Sequence, residues 1–179
     1  MIAPMTYFIS FIMVFNYAEP IPLHLPIIIM KILLEHRRLV MTNFLSFSGV
    51  VTEINDMYLG ENEEEGCNQL FTVVNRHGEV VNFSVSPSTY LIDQVSIGDM
   101  VTGYYDADLP VILIYPPQYQ AIVIVKEVQN QHVKVDYFNS QLMSSDQQLQ
   151  LNISPNTAME LTNGLPFNRS PANRDLVVI

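Results

Sequence analysis

One cysteine, no tryptophan and eight lysines and arginines among 179 residues set the first limits. Cys67 alone cannot form an internal disulfide, which fits a reducing, cytoplasmic setting. Eight bases against 18 acids give a net charge of -10. Lys31, Arg37 and Arg38 lie before Met41 with only Glu19 and Glu35, so the remainder is more acidic still. Such a body repels phosphate backbones and anionic lipid surfaces, and nucleic acid is not an expected partner. No glycine-rich phosphate loop, Gly-x-Ser-x-Gly elbow or His-Glu-x-x-His pair occurs. No catalytic residue, metal ligand or cofactor is therefore assigned, and the chain reads as a non-enzyme.

What is present divides at Met41. Residues 1–40 are apolar and broken by proline. A signal peptide places its positive charge before the apolar run, whereas Lys31, Arg37 and Arg38 follow it. Thr6–Tyr17 is too short to span a bilayer, which takes about twenty residues, but a hairpin or interfacial anchor stays open. In a third reading Arg37-Arg38 is encoded AGG AGG, a bacterial ribosome-binding site, with Leu39-Val40 as spacer and Met41 as the start codon. On that preferred reading 1–40 is an apolar leader from a mis-annotated start. A membrane-anchored sensor is the alternative, and only then is a membrane a partner.

After Met41 the signal is period-two alternation with β-branched residues and turn punctuation. "FSGVVTEI" (Phe47–Ile54) predicts a strand and Asn55–Asn68 a polar loop. "QLFTVV" and "EVVNFSV" flank "NRHG" (Asn75–Gly78), a hairpin signal. Ser86-Pro87 ends the second of these, because proline cannot donate to a ladder. Thr89–Val95 is read as at most one helical turn. "GDMVTGYYD" predicts a strand, "ADLPVILIYPPQY" a long connection, and "QAIVIVKEV" a strand buried on both faces. Five short strands, with a hairpin and a long connection before the last, favour a small OB-like barrel over an immunoglobulin sandwich of about seven strands.

The second half repeats the first. "NFSVSPSTYLID" (Asn82–Asp93) aligns with "QLNISPNTAMEL" (Gln150–Leu161). A hairpin precedes each, the second turning at Ser144–Gln147. "FSGVVTEI" matches "VKVDYFN" (Val133–Asn139), and "GDMVTGYYD" matches "RDLVVI". The expected organisation is all-β: an OB-like barrel over 44–127 and a second, truncated β repeat over 128–179. The second repeat has no counterpart of "AIVIV". Either the chain is normally longer or another chain supplies the strand, and the open edge predicts homo-oligomers.

The run "SPSTYLID…GDMVTGYYDADLPVILIYPPQYQAIVI", with "VKVDYFN" and "NRDLVVI", resembles an uncharacterised family of bacterial, clostridial-type β proteins. Its members share a "VSPxTY…G…V…YDAxLPxPLIYPPQYxAVVI" core. The resemblance covers most of 44–179 and none of 1–40. It implies tandem OB-like barrels, a start at Met41 and a longer C-terminus, but no activity. Ile112 stands where that core has a proline.

The most distinctive segment is "YYDADLPVILIYPPQY". Tyr104, Tyr105, Tyr115 and Tyr119, with Asp106 and Asp108, form the candidate ligand-binding set. Tyrosines beside fixed prolines make preorganised contact patches. The competing reading is a rigid connection whose tyrosines cap the core. Base stacking needs a cationic groove, and Arg76 and Lys126 are the only bases in the first repeat. Glu61, Glu63, Glu64 and Glu65 lack the spacing of a Ca²⁺ loop and read as a solvated tip. His77 is placed at a hairpin tip and His132 in a linker. The expected function is a binding module for an unknown protein or small ligand. The alternative is a metal-dependent hydrolase using Asp106, Asp108 or the Glu61–Glu65 loop.

Overall fold

The structure, a computed structural model, describes residues 5–8, 11–14, 42–57 and 68–179. The described residues are all β, with no helix among them. They fall into two compact units. The first holds Asn43–Val135 with Val178–Ile179, and the second joins the described residues up to Thr42 with Asp136–Val177. The acidic loop Glu61–Glu65 and Cys67 lie outside the described residues.

In chain order the strands are β1 (Met5–Phe8), β2 (Phe11–Val14), β3 (Phe44–Met57), β4 (Asn68–Val74), β5 (Val80–Val85), β6 (Tyr90–Ile92) and β7 (Met100–Asp106). Then come β8 (Gln118–Gln120), β9 (Val123–Lys126), β10 (Lys134–Phe138), β11 (Leu149–Asn152), β12 (Ala158–Leu161) and β13 (Arg174–Val178).

The first unit is one sheet of order β6-β9-β7-β3-β4-β5-β8. Its longest strand, β3, pairs with β7 through Phe44–Val50 and with β4 through Val50–Met57. The register shifts between Val51 and Glu53. A bulge there bends the strand from one neighbour toward the other. Gly49 sits at the same bend, where a Cβ would strike the Val74 carbonyl. The hairpin of β4 and β5 turns at Asn75–Gly78 as expected. The Asn75 side-chain oxygen accepts the backbone N–H groups of His77 and Glu79 at 2.9 and 3.0 Å. Gly78 takes the left-handed φ of 78° that this turn needs.

No ladder joins the outer strands β6 and β8, so the sheet is not closed by hydrogen-bonded pairing. Its outer regions are joined covalently instead. β8 runs parallel to β5, and β9, separated from β8 only by Ala121 and Ile122, runs antiparallel to β7. Across that break Ala121 N–H donates to Ser84 O at 3.0 Å and Ile122 N–H to Tyr104 O at 2.8 Å. Thr89 Oγ1 donates to the Ala121 carbonyl at 2.8 Å.

Inward alternation on β4 and β5 buries Phe71, Val73, Val81, Phe83 and Val85 against Val51, Val101, Ala121 and Ile124. β9 is buried on both faces, as its continuous apolar text predicts. Thr89–Val95 holds the strand β6 rather than a helical turn, because Tyr90–Ile92 finds a parallel partner in Val123–Val125.

In the second unit β10 and β13 share a sheet of order β10-β13-β2-β12, and β1 pairs with β11. Buried side chains include Tyr137, Phe138, Leu149, Leu151, Phe167, Leu176 and Val177. The Ser-Pro turns of the repeat are held by the same hydrogen bonds. Ser86 N–H donates to Thr89 Oγ1 at 3.0 Å and Thr89 N–H to Ser86 O at 2.9 Å. Ser154 and Thr157 make the same pair of bonds, both at 3.0 Å.

Core packing on β7 depends on a missing side chain. A Cβ on Gly103 would lie 2.5 Å from two Phe83 ring carbons. Gly103→Ala is therefore expected to cost about 1–3 kcal/mol through overpacking. The urea midpoint should fall with the slope unchanged. Phe83→Leu in the same chain should make the alanine less harmful. Additive losses would show that the two positions do not conflict.

Candidate functional site

Adjacent strand residues point to opposite faces, so Tyr104 and Tyr105 separate. Tyr105 joins the core side: its ring stacks on Tyr119 with centroids 4.0 Å apart and planes 17° off parallel. It meets Phe83 at 6.2 Å. Both tyrosines pack against the buried cluster as partly buried caps. Burial raises the Tyr105 pKa above its ordinary value, and the neighbouring Tyr119 hydroxyl adds to the rise.

Tyr104 faces the other way. Its hydroxyl donates to the Val133 carbonyl at 3.2 Å. It lines a shallow depression of about 140 Å³ with Val125, Lys126, Glu127, Gln131 and His132. Ligand pockets run to about 300–1,000 Å³, so this hollow has room for a few atoms. Burial, then the charge of Glu127, pushes the Tyr104 pKa up. Beside it, Thr102 donates to Glu127 Oε1 at 2.5 Å, and its Oγ1 lies 2.6 Å from Ser48 Oγ.

Asp106 and Asp108 are occupied with local structure. Asp106 Oδ1 accepts the Asp108 N–H at 3.0 Å, and Asp108 Oδ1 accepts Asn43 Nδ2 at 3.2 Å. These bonds hold the turn that follows β7. Tyr115 is 85 % exposed, with a cis peptide bond to Pro116. The six residues thus form a core cap (Tyr105, Tyr119), a lining of the shallow hollow (Tyr104), a turn (Asp106, Asp108) and an exposed loop position (Tyr115).

The feature the sequence hid is around Tyr115. Leu109, Val111, Ile112, Leu113 and Ile114 are all exposed, Ile112 to 69 % and Leu113 fully. Pro110, Pro116 and Pro117 bracket this apolar run. Alternation gave no warning, since the same letters inside a strand would be core. Pro110 and the proline pair were the available signal, because they forbid a ladder.

Among the described residues no group of three or more His, Cys, Asp or Glu side chains could hold a metal ion. His77 and His132 are exposed. Among the described residues, too, no helix is long and apolar enough to cross a membrane. No protein-family model matches the chain, and no curated protein matches it.

Tyr104, Tyr105 and Tyr137 share a raised pKa, burial being the first cause for each. A raised tyrosine pKa favours the neutral form in the folded chain. The stability it contributes is complete below the unfolded value of about 10 and is lost as pH rises through the folded values. Alkaline titration by ultraviolet absorbance should show a late-ionising fraction that returns to ordinary values in urea. Tyr104→Phe should remove part of that fraction. A single ordinary titration in the folded protein would contradict the placement of these rings.

Proposed function

We propose that the chain is a non-enzymatic binding module built of tandem OB-like β-barrels, and that its contact element is the loop Leu109–Tyr115. Support for the barrel comes from β3, β4, β5, β7 and β9, with a long bent first strand and a β8–β9 segment touching both flanks. An OB fold is a five-stranded, partly open barrel with this kind of connection. The likeness concerns architecture, and function rests on the loop.

One observation carries the functional reading: a contiguous apolar run stands exposed on a strongly acidic chain. Exposed apolar patches of this kind mark interaction sites. The run is exposed rather than enclosed, so it suits contact with a groove on a partner protein better than capture of a small ligand. The shallow hollow at Tyr104 is too small to favour the small-ligand reading. Acidic charge disfavours nucleic acid and anionic lipid. A cytoplasmic place of action rests on the single cysteine.

The test replaces Ile112 and Leu113 together by aspartate. Both side chains are exposed, so stability should change by less than about 0.5 kcal/mol each. The partner recovered with the wild-type chain from its own cells is then purified, and binding is measured in solution. The double variant is expected to bind at least about tenfold more weakly, which corresponds to ~1.4 kcal/mol. Equal affinity would remove the loop from the interface. Equal loss of sedimentation-detected dimer would make the partner a second copy of this chain.

A further inference from the structure

We infer that β1 and β2 together are the closing strands of the second unit, the counterparts of β8 and β9 in the first, seated in a strand-accepting slot beside β11 and β12. The argument needs only backbone register and sequence.

In the first unit the closing segment makes two parallel ladders. β8 pairs with β5, placing Tyr119 opposite Phe83, and β9 pairs with β6, placing Ile124 opposite Leu91. The sequence repeat maps Phe83 onto Leu151 and Leu91 onto Met159. In the second unit Tyr7 lies opposite Leu151 and Ile12 opposite Met159, again in parallel ladders. The step from Tyr7 to Ile12 equals the step from Tyr119 to Ile124. Two separate ladders therefore give one alignment, residue for residue and without insertion. In the aligned sequences Ala121-Ile122 stands against Ile9-Ser10. A slip of one residue in either ladder would destroy the agreement and turn every side chain to the other face.

Strand order agrees as well. The order β10-β13-β2-β12 reproduces β3-β7-β9-β6 element for element. The aligned texts, "QYQAIVIVK" and "TYFISFIMV", share tyrosine at 119 and 7. Ala121, Val123, Ile124 and Val125 are all buried in the first unit. Their counterparts Ile9, Phe11, Ile12 and Met13 are apolar without exception. Backbone groups along β11 and β12 need partners, and a parallel strand has to come from a distant part of the chain. Here it comes from the opposite end of the sequence, so the repeat is closed in permuted order. The apolar text of Met5–Phe8 and Phe11–Val14 is then that of strands paired within the second unit, not of a leader or an anchor.

The test uses the full chain with Cys67→Ser. Thr6→Cys with Gln150→Cys joins paired positions. Thr6→Cys with Asn152→Cys is the control, slipped by two residues on the same face. Under mild oxidation the paired variant should form an intramolecular disulfide at least about tenfold faster, located by peptide mapping. Equal rates, no disulfide, or a covalent dimer would each overturn closure within one chain. Hydrogen exchange on the unaltered full chain gives a second reading free of any substitution. Amides of residues 6–14 should be protected like those of 118–126, and unprotected amides would overturn the inference. So would natively expressed protein whose intact mass lacks residues 6–14.

Discussion

The structure of the first unit depends on one segment, Gln118–Lys126, that satisfies two partners at once. Its first part runs parallel to β5 and its second antiparallel to β7. Without it, β5 and β7 would each present an unpaired edge, and buried backbone groups without partners are costly. The requirement also explains the loop before it. β8 must begin beside β5, whereas β7 ends beside the start of β3. A tight hairpin cannot make that passage, so a long connection is forced. Pro110, Pro116 and Pro117 suit such a connection because they bring no N–H donor to satisfy. The exposed apolar run is carried on a segment whose length the pairing dictates.

Much of this was legible where the signal is local. Asn75–Gly78 reads as a hairpin from its own letters, and "AIVIV" reads as doubly buried. The Ser-Pro-x-Thr turn reveals the repeat, because the same hydroxyl closes the same bonds at Thr89 and Thr157. What failed was non-local. Tyr90–Ile92 is a strand because β9 lies beside it, and no propensity in those residues says so. β3 begins at Phe44 rather than Phe47 because β7 extends alongside it. Parallel partners leave no mark on the local text, so the ladders of β1 with β11 and β2 with β12 could not be read from it. Adjacent tyrosines at 104 and 105 were grouped as one patch, although strand geometry alone puts them on opposite faces.

Carboxylates near the candidate site are engaged in structure. Asp106 and Asp108 hold the turn after β7. Asp99 pairs with Lys126 at 2.8 Å, and that hydrogen bond, with one from the Ser96 backbone, holds its pKa below the ordinary value. Paired general acid–base catalysis needs two carboxyls whose environments push them apart and a reacting atom between them. The carboxylates at this turn instead accept bonds from neighbouring amides and so hold the turn.

Closure by residues 6–14 also makes the two units unequal in a way that bears on binding. In the first unit the link between β7 and the closing strand is the apolar loop. In the second unit, on the inferred closure, the closing segment precedes β13 in the chain, so pairing does not require a link running from β13 to it. The exposed apolar run thus belongs to the way the first unit is connected. On the proposed function, contact falls to the first unit; on the inferred closure, the second contributes a slot whose occupant comes from far away in sequence.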